Sequence, residues 1–140
     1  MNELKFENVS ATKTPLMIAV VSTTGDGDPP DNSQSFFKNM KNARSSDGAH
    51  QLLKGIKYTC LGLGDSNYTS FMAMPLRFKK GFDDLGAERF YECREVDEVD
   101  GLEDLVEEWI EGLWEPLKAS LTQVMRLTLL RSANTLSVSV

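Results

Sequence analysis

Two stretches of this chain gather side chains and backbone that could do chemistry. The first is Ser22, Thr23, Thr24, Gly25, Asp26, Gly27, Asp28, Pro29, Pro30, Asp31, Asn32, which joins exposed hydroxyls to flexible glycines and a rigid exit. Glycines let backbone come close to a flat ring. A phosphate cradle is excluded, because Asp26, Asp28 and Asp31 repel phosphate and the loop has no lysine or arginine. A plain turn into a helix N-terminus explains the Pro, Asp and Asn but not the run Ser22 to Gly25, so both readings stay open. The second stretch, Leu61 to Phe71, sets Tyr68 and Phe71 among Gly62, Gly64, Asp65, Ser66, Asn67 and Thr69. Tyr68 could stack on an aromatic ring while amides from Gly64 to Thr69 bond carbonyl oxygens or ring nitrogens. The competing reading is a surface turn with Tyr68 and Phe71 folded onto the core.

These loops need elements to hold them. Leu16 to Val21 is a continuous apolar run closed by Ser22 to Gly27, as expected of a strand buried on both faces. Ile56 to Leu63 is a second strand, and Arg89 to Cys93 a shorter third. Between the first two, Asp31, Asn32 or Ser33 can cap a helix carrying Phe36, Phe37 and Met40 at helical spacing, and the polar stretch from Asn39 to His50 reads as a loop. A further helix runs from about Met74 to Leu85, stopped by Gly86. The clearest helix begins at Asp100, which has capping-box spacing to Glu103 and leads a stripe of Leu102, Leu105, Val106, Trp109, Ile110, Leu113 and Trp114. Pro116 should kink or restart it, and its Ser/Thr-rich end should fray. Strand and helix alternate three times, the order of an α/β doubly wound parallel sheet whose ligands sit beyond the carboxyl ends of the strands. Both chemical loops leave those ends.

Composition narrows the class. With 140 residues, 41% hydrophobic and 26% charged, the chain can bury a core. A net charge of -6 argues against a phosphate-tracking nucleic-acid binder and suits a basic protein partner. Cys60 and Cys93 lie in apolar stretches and read as core residues in a reducing, cytoplasmic compartment, with no metal site. No apolar run is long enough to span a bilayer, and the start has the pattern of neither a signal peptide nor a presequence. A phospho-acceptor domain of the same sheet class would need an acidic pair beside Asp65, which is not evident.

STTGDGDPPDN and LGLGDSNYTSF resemble the two isoalloxazine-binding loops in the FMN domains of NADPH-dependent diflavin reductases. LGAERFYECREVDEVDGLEDLVEEWIEGLWEPL resembles the close of that domain, so the likeness covers roughly residues 6 to 117. Thr24 and the phrase TTGDGDPPD bring it near the methionine synthase reductases and the diflavin reductases of iron-sulfur assembly, and of these EWIEGLW and LGDSNYTSF point to the former. The resemblance implies a flavodoxin-like fold over residues 1–118, with a partly helical, then frayed extension over 119–140. It implies that Ser22, Thr23, Thr24 and Gly25 line the flavin ring and its ribityl side, that Tyr68 stacks on one ring face, and that Leu63, Gly64, Asp65, Ser66, Asn67 and Phe71 complete the second wall. Asp97 and Glu98 fall where the family has an acidic loop near the flavin; a solvated acidic turn is the competing reading. Met72 and Pro75 stand where Asn and Gly are commoner. The family opens with a strand and a phosphate-binding loop ahead of the part matched here, so the sheet is expected to be incomplete, lacking its first two strands and the phosphate loop. The implied cofactor is FMN, with FAD and NADP in the longer family members. The implied partners are the FAD/NADPH-binding reductase module and an acceptor such as methionine synthase. No catalytic side chain is needed, since the cofactor carries the electrons. The alternative is a non-catalytic interaction fragment that no longer binds FMN.

Overall fold

The computed structural model describes residues 5–23, 27–67, 70 and 72–139, with backbone only over 131–139. Three parallel ladders make its sheet. Strand β1 (Leu16–Ser22) pairs with β2 (Lys57–Gly64) from Leu16↔Lys57 to Ser22↔Leu63. The other side of β2 takes β3 (Glu88–Arg89) along its first half and β4 (Arg94–Asp97) along its second. Among the described residues β1 is an edge strand. Helices α1 (Gln34–Arg44) and α2 (Ala73–Asp84) cover one face of the sheet, and α3 (Leu102–Ser139) crosses the other.

The expected third strand, Arg89 to Cys93, is corrected to the two short strands β3 and β4. Between the Tyr58↔Arg89 and Leu61↔Arg94 pairs the outer strand carries two residues more than β2. Side chains replace the ladder there. The Thr59 hydroxyl donates to the carbonyls of Tyr91 (3.3 Å) and Glu92 (3.1 Å), and Trp109 Nε1 donates to Glu92 O at 3.0 Å. These carbonyls are thus satisfied without strand pairing, which lets the chain bulge and restart at Arg94.

Other boundaries shift for similar reasons. Helix α1 runs on to Arg44 through part of the stretch expected to be loop, because Met40 is buried against Gly81 of α2, where an added Cβ would lie 2.6 Å from its sulfur. No side chain caps α1. Asp31–Ser33 form a 3-10 turn, and the Ser33 hydroxyl donates to Pro30 O instead. Asp100 likewise lies in a 3-10 turn, and α3 starts after Gly101, whose φ of +93° makes the break. Helix α3 runs through Pro116 without a restart, losing one backbone donor, and its backbone is helical to Ser139.

On the α1/α2 face, Phe36, Phe37, Phe78, Phe82 and Tyr58 form one buried aromatic cluster, with Phe78 and Phe82 stacked at 4.3 Å between centroids. Tyr58 closes it. Its hydroxyl donates to Asp83 Oδ1 at 2.5 Å, Asp83 is paired with Arg89, and burial raises the phenol well above its ordinary pKa. On the α3 face the cluster is smaller: Leu61, Val96, Trp109 and Leu113. No helix of the described residues is long and apolar enough to cross a membrane.

Candidate functional site

The carboxyl ends of β1, β2 and β4 lie side by side, with Ser22 opposite Leu63 and Gly64 opposite Asp97. Parallel pairing causes this directly: strands running the same way deliver their following loops to one rim. Three loops meet there, and the second is tied to each of the other two.

The first and second loops join through the start of α2. Thr23 Oγ1 accepts the Met74 amide at 3.0 Å, satisfying one of the donors that a helix N-terminus leaves open. Gly27, at φ +95°, lies so close to Ser70 that an added Cβ would sit 2.9 Å from the serine Cβ. The second loop and the β4 exit join through Asp97. Its Oδ1 accepts the amides of Ser66 and Val99, both at 3.1 Å. Those bonds, with the Ser66 hydroxyl foremost, hold the Asp97 carboxyl below its ordinary pKa. Asp65 folds over its own turn, Oδ1 accepting the Asn67 amide at 2.9 Å.

The expected site residues thus divide. Ser22, Thr23, Leu63, Gly64, Asp65, Ser66, Asn67 and Asp97 share the rim. Glu98 follows them as an exposed residue of a 3-10 turn. Thr24, Gly25, Tyr68 and Phe71 lie outside the described residues, as does Asp26. Sequence reasoning missed Gly27, Ser70 and the Met74 amide as joints between loops; the glycine was visible in the sequence, but its contact across the fold was not. It also missed the role of Met72. That residue is buried and left-handed (φ +59°) at the α2 N-cap, a conformation that costs a side-chain-bearing residue about 1–2 kcal/mol. An Asn, commoner there in the resembling family, adopts it more readily. Pro75 packs against Gly62, whose missing Cβ would meet it at 2.6 Å.

Beside the rim, on the free side of β1, a cavity of about 190 Å³ is lined by Val20, Val21, Ser22, Pro30, Asn32, Ser33 and Phe37. It is smaller than the roughly 300–1,000 Å³ usual for a small-molecule site. The rim itself offers neutral hydroxyls and amides flanked by carboxylates, and neither loop contains a lysine or arginine.

A parallel sheet wrapped on both faces, with hydroxyl-rich and glycine-rich loops at its carboxyl rim, is a doubly wound α/β architecture. The chain belongs to the flavodoxin family, whose model matches residues 1–109. Among curated proteins it is 43% identical over 107 residues to methionine synthase reductase of Bos taurus, covering 76% of this chain and 15% of that one. It is also 43% identical over 116 residues to methionine synthase reductase of Caenorhabditis elegans, covering 83% of this chain and 16% of that one. It therefore spans less than a fifth of the relatives it matches. The fold is that of oxidised Flavodoxin 1 from Bacillus cereus, with a TM-score of 0.60, 22% identity, and coverage of 84% of this chain and 73% of that chain.

Proposed function

We propose that the rim holds the isoalloxazine ring of FMN and that the chain is the electron-transfer module of an NADPH diflavin reductase of the methionine synthase reductase type. The observation that carries this reading is the convergence of three loops tied by Thr23, Ser66 and Asp97. The donor set fits the ring. Neutral hydroxyls and amides suit its carbonyls and nitrogens, whereas the carboxylates around them do not suit a phosphate. Ser22 and Thr23 would line one side and the backbone from Gly64 to Asn67 the pyrimidine edge, with Thr24, Gly25, Tyr68 and Phe71 as further wall residues. FMN, when bound, supplies the electron-carrying chemistry. The chain's part is to position the ring, limit water around it and set the surrounding charge.

In this reading Asp97 and Glu98 add negative charge beside the site and favour a basic docking partner. The partners are an FAD- and NADPH-binding module as donor and cobalamin-dependent methionine synthase as acceptor, and the setting is cytoplasmic, which suits free thiols at Cys60 and Cys93. Burial pushes the Cys60 thiol up to about 12, so it is a packing residue and not a redox partner of the cofactor.

Tyr68→Ala tests the reading. Loss of a stacking ring should weaken FMN binding about fivefold or more, from the roughly 1 kcal/mol of an aromatic pair. Unchanged affinity would remove Tyr68 from the site. A second reading is an interaction fragment without flavin; a colourless protein after incubation with excess FMN would select it.

A further inference from the structure

We propose that the outer surface of α1 and α2 docks a short acidic segment of a protein partner through Lys38, Lys41, Arg77 and Lys80. The chain has 15 bases and 21 acids, yet these two helices carry Lys38, Lys41, Arg44, Arg77, Lys79 and Lys80 against only Asp83 and Asp84. Both acids are occupied. Asp83 pairs with Arg89 and Asp84 with Arg44, while Lys79 is matched by Glu95. Among the described residues, Lys38, Lys41, Arg77 and Lys80 stand in no ion pair. Packing gathers these four. The helices run side by side in one direction, since the Arg77 guanidinium lies 5.6 Å from the Phe37 ring centroid, Gly81 meets Met40 and Asp84 meets Arg44. Helical geometry then sets Lys41 and Arg77 in the groove between them, with Lys38 and Lys80 on its two crests. Lys38, Lys41 and Lys80 are exposed and Arg77 is half-buried.

Charge and length select the occupant. Like charges one turn apart on a helix repel, and Lys38 with Lys41 and Arg77 with Lys80 are such pairs, so a row of carboxylates laid along the groove relieves both. From Phe37 to Arg44 the groove is about 10 Å long at 1.5 Å per residue, close to one screening length at physiological salt. The chain as a whole carries a net charge of -6. A nucleic-acid duplex or an anionic membrane extends past the groove and meets that acidic remainder; a short run of Asp and Glu does not. At its foot the groove opens into a cavity of about 710 Å³ whose wall includes Lys41, Arg44, Ser45 and His50 as well as Asp47 and the paired Asp84, with room for a partner side chain. This surface is opposite in charge to Asp97 and Glu98 at the rim, so the two suit different partners. It stands whether or not the rim binds flavin.

Fluorescence anisotropy of a labelled, short glutamate-rich peptide titrated with the 140-residue chain tests this. The comparisons are the glutamine version of the peptide, a single-stranded DNA of equal length, and phosphatidylserine-containing vesicles read by cosedimentation. The glutamate peptide should bind and the glutamine version should not, and binding should weaken as salt rises. Lys41→Glu combined with Lys80→Glu, with folding checked by circular dichroism, should raise the dissociation constant about tenfold or more, whereas Lys41→Arg, which keeps the charge, and Lys118→Glu, on α3, should leave it within about twofold. Failure of the glutamate peptide to bind at millimolar concentration overturns the proposal, as does equal binding of the glutamine version or indifference to the double substitution. Tighter binding of the DNA or the vesicles assigns the surface to phosphate groups and likewise overturns the acidic segment.

Discussion

The two faces of the sheet are built from the same strands yet differ in how far they are closed. On the α1/α2 face, Met17, Ala19 and Val21 of β1 and Tyr58 and Cys60 of β2 are all buried under two helices whose aromatic rings interlock. On the α3 face, alternate residues of the same two strands meet a single helix; Leu61 is buried, but Ile18 and Val20 are not. Alternation sends neighbouring residues of one strand to opposite faces, so a strand can be core on one side and surface on the other. Stability therefore resides mainly in the aromatic face, while the rim is tied at the strand ends and at the start of α2.

The comparison breaks first at Phe78. Phe78→Ala empties the centre of the aromatic cluster and should destabilise the fold by about 3–5 kcal/mol, read from urea denaturation; a loss below about 1 kcal/mol would mean that the sealed face is not the main source of stability. Trp109→Phe keeps most of the volume on the other face but removes the donor to Glu92 O. Glu92 O keeps the Thr59 hydroxyl as a donor, so the loss is that of one hydrogen bond, about 0.5–1.5 kcal/mol, and the bulge between β3 and β4 should loosen, seen as faster amide exchange at Val96.

Asp97 sharpens the difference between fold and site. Its folded pKa is lowered, so the anchor on Ser66 is complete above the ordinary aspartate value of about 3.9 and is lost as pH falls through the lowered folded value. The Ser66 amide resonance should titrate in that acid window in the native chain and stay flat in Asp97→Asn, with little change in melting temperature. A Ser66 resonance that titrates identically in the variant would sever Asp97 from the second loop. The smallest effect is expected at Ile18 and Val20. Ile18→Ser or Val20→Thr should change stability by no more than about 0.5 kcal/mol, measured by thermal melting; a large loss would show that their face is covered.

Much of this was legible from patterning alone. The runs Leu16 to Val21 and Ile56 to Leu63 announce parallel strands, and the structure places β1 and β2 there, but the expected burial on both faces is corrected for β1, whose Ile18 and Val20 are exposed. Helix α2 was equally plain from Met74, Phe78 and Phe82. The stretch after Arg89 was not, because the bulge depends on donors from Thr59 and Trp109, distant in sequence, and no local signal reports them. The extension of α1 was hidden for the same reason: Met40 is held by Gly81 across the fold. At the rim, residue types revealed Ser22, Thr23 and the second loop, while the bonds Thr23–Met74 and Ser66–Asp97 required the register of three strands.

The central claim, a flavin-ring site without a basic phosphate seat in its two loops, is tested most directly by titrating the chain in parallel with FMN and with riboflavin while following flavin fluorescence. Both flavins should bind, their dissociation constants should agree within about threefold, since 1.4 kcal/mol would separate them tenfold, and Tyr68→Ala should weaken both alike. A preference for FMN of a hundredfold or more would contradict it by revealing a phosphate seat, and failure of both flavins to bind at millimolar concentration would contradict the flavin site itself.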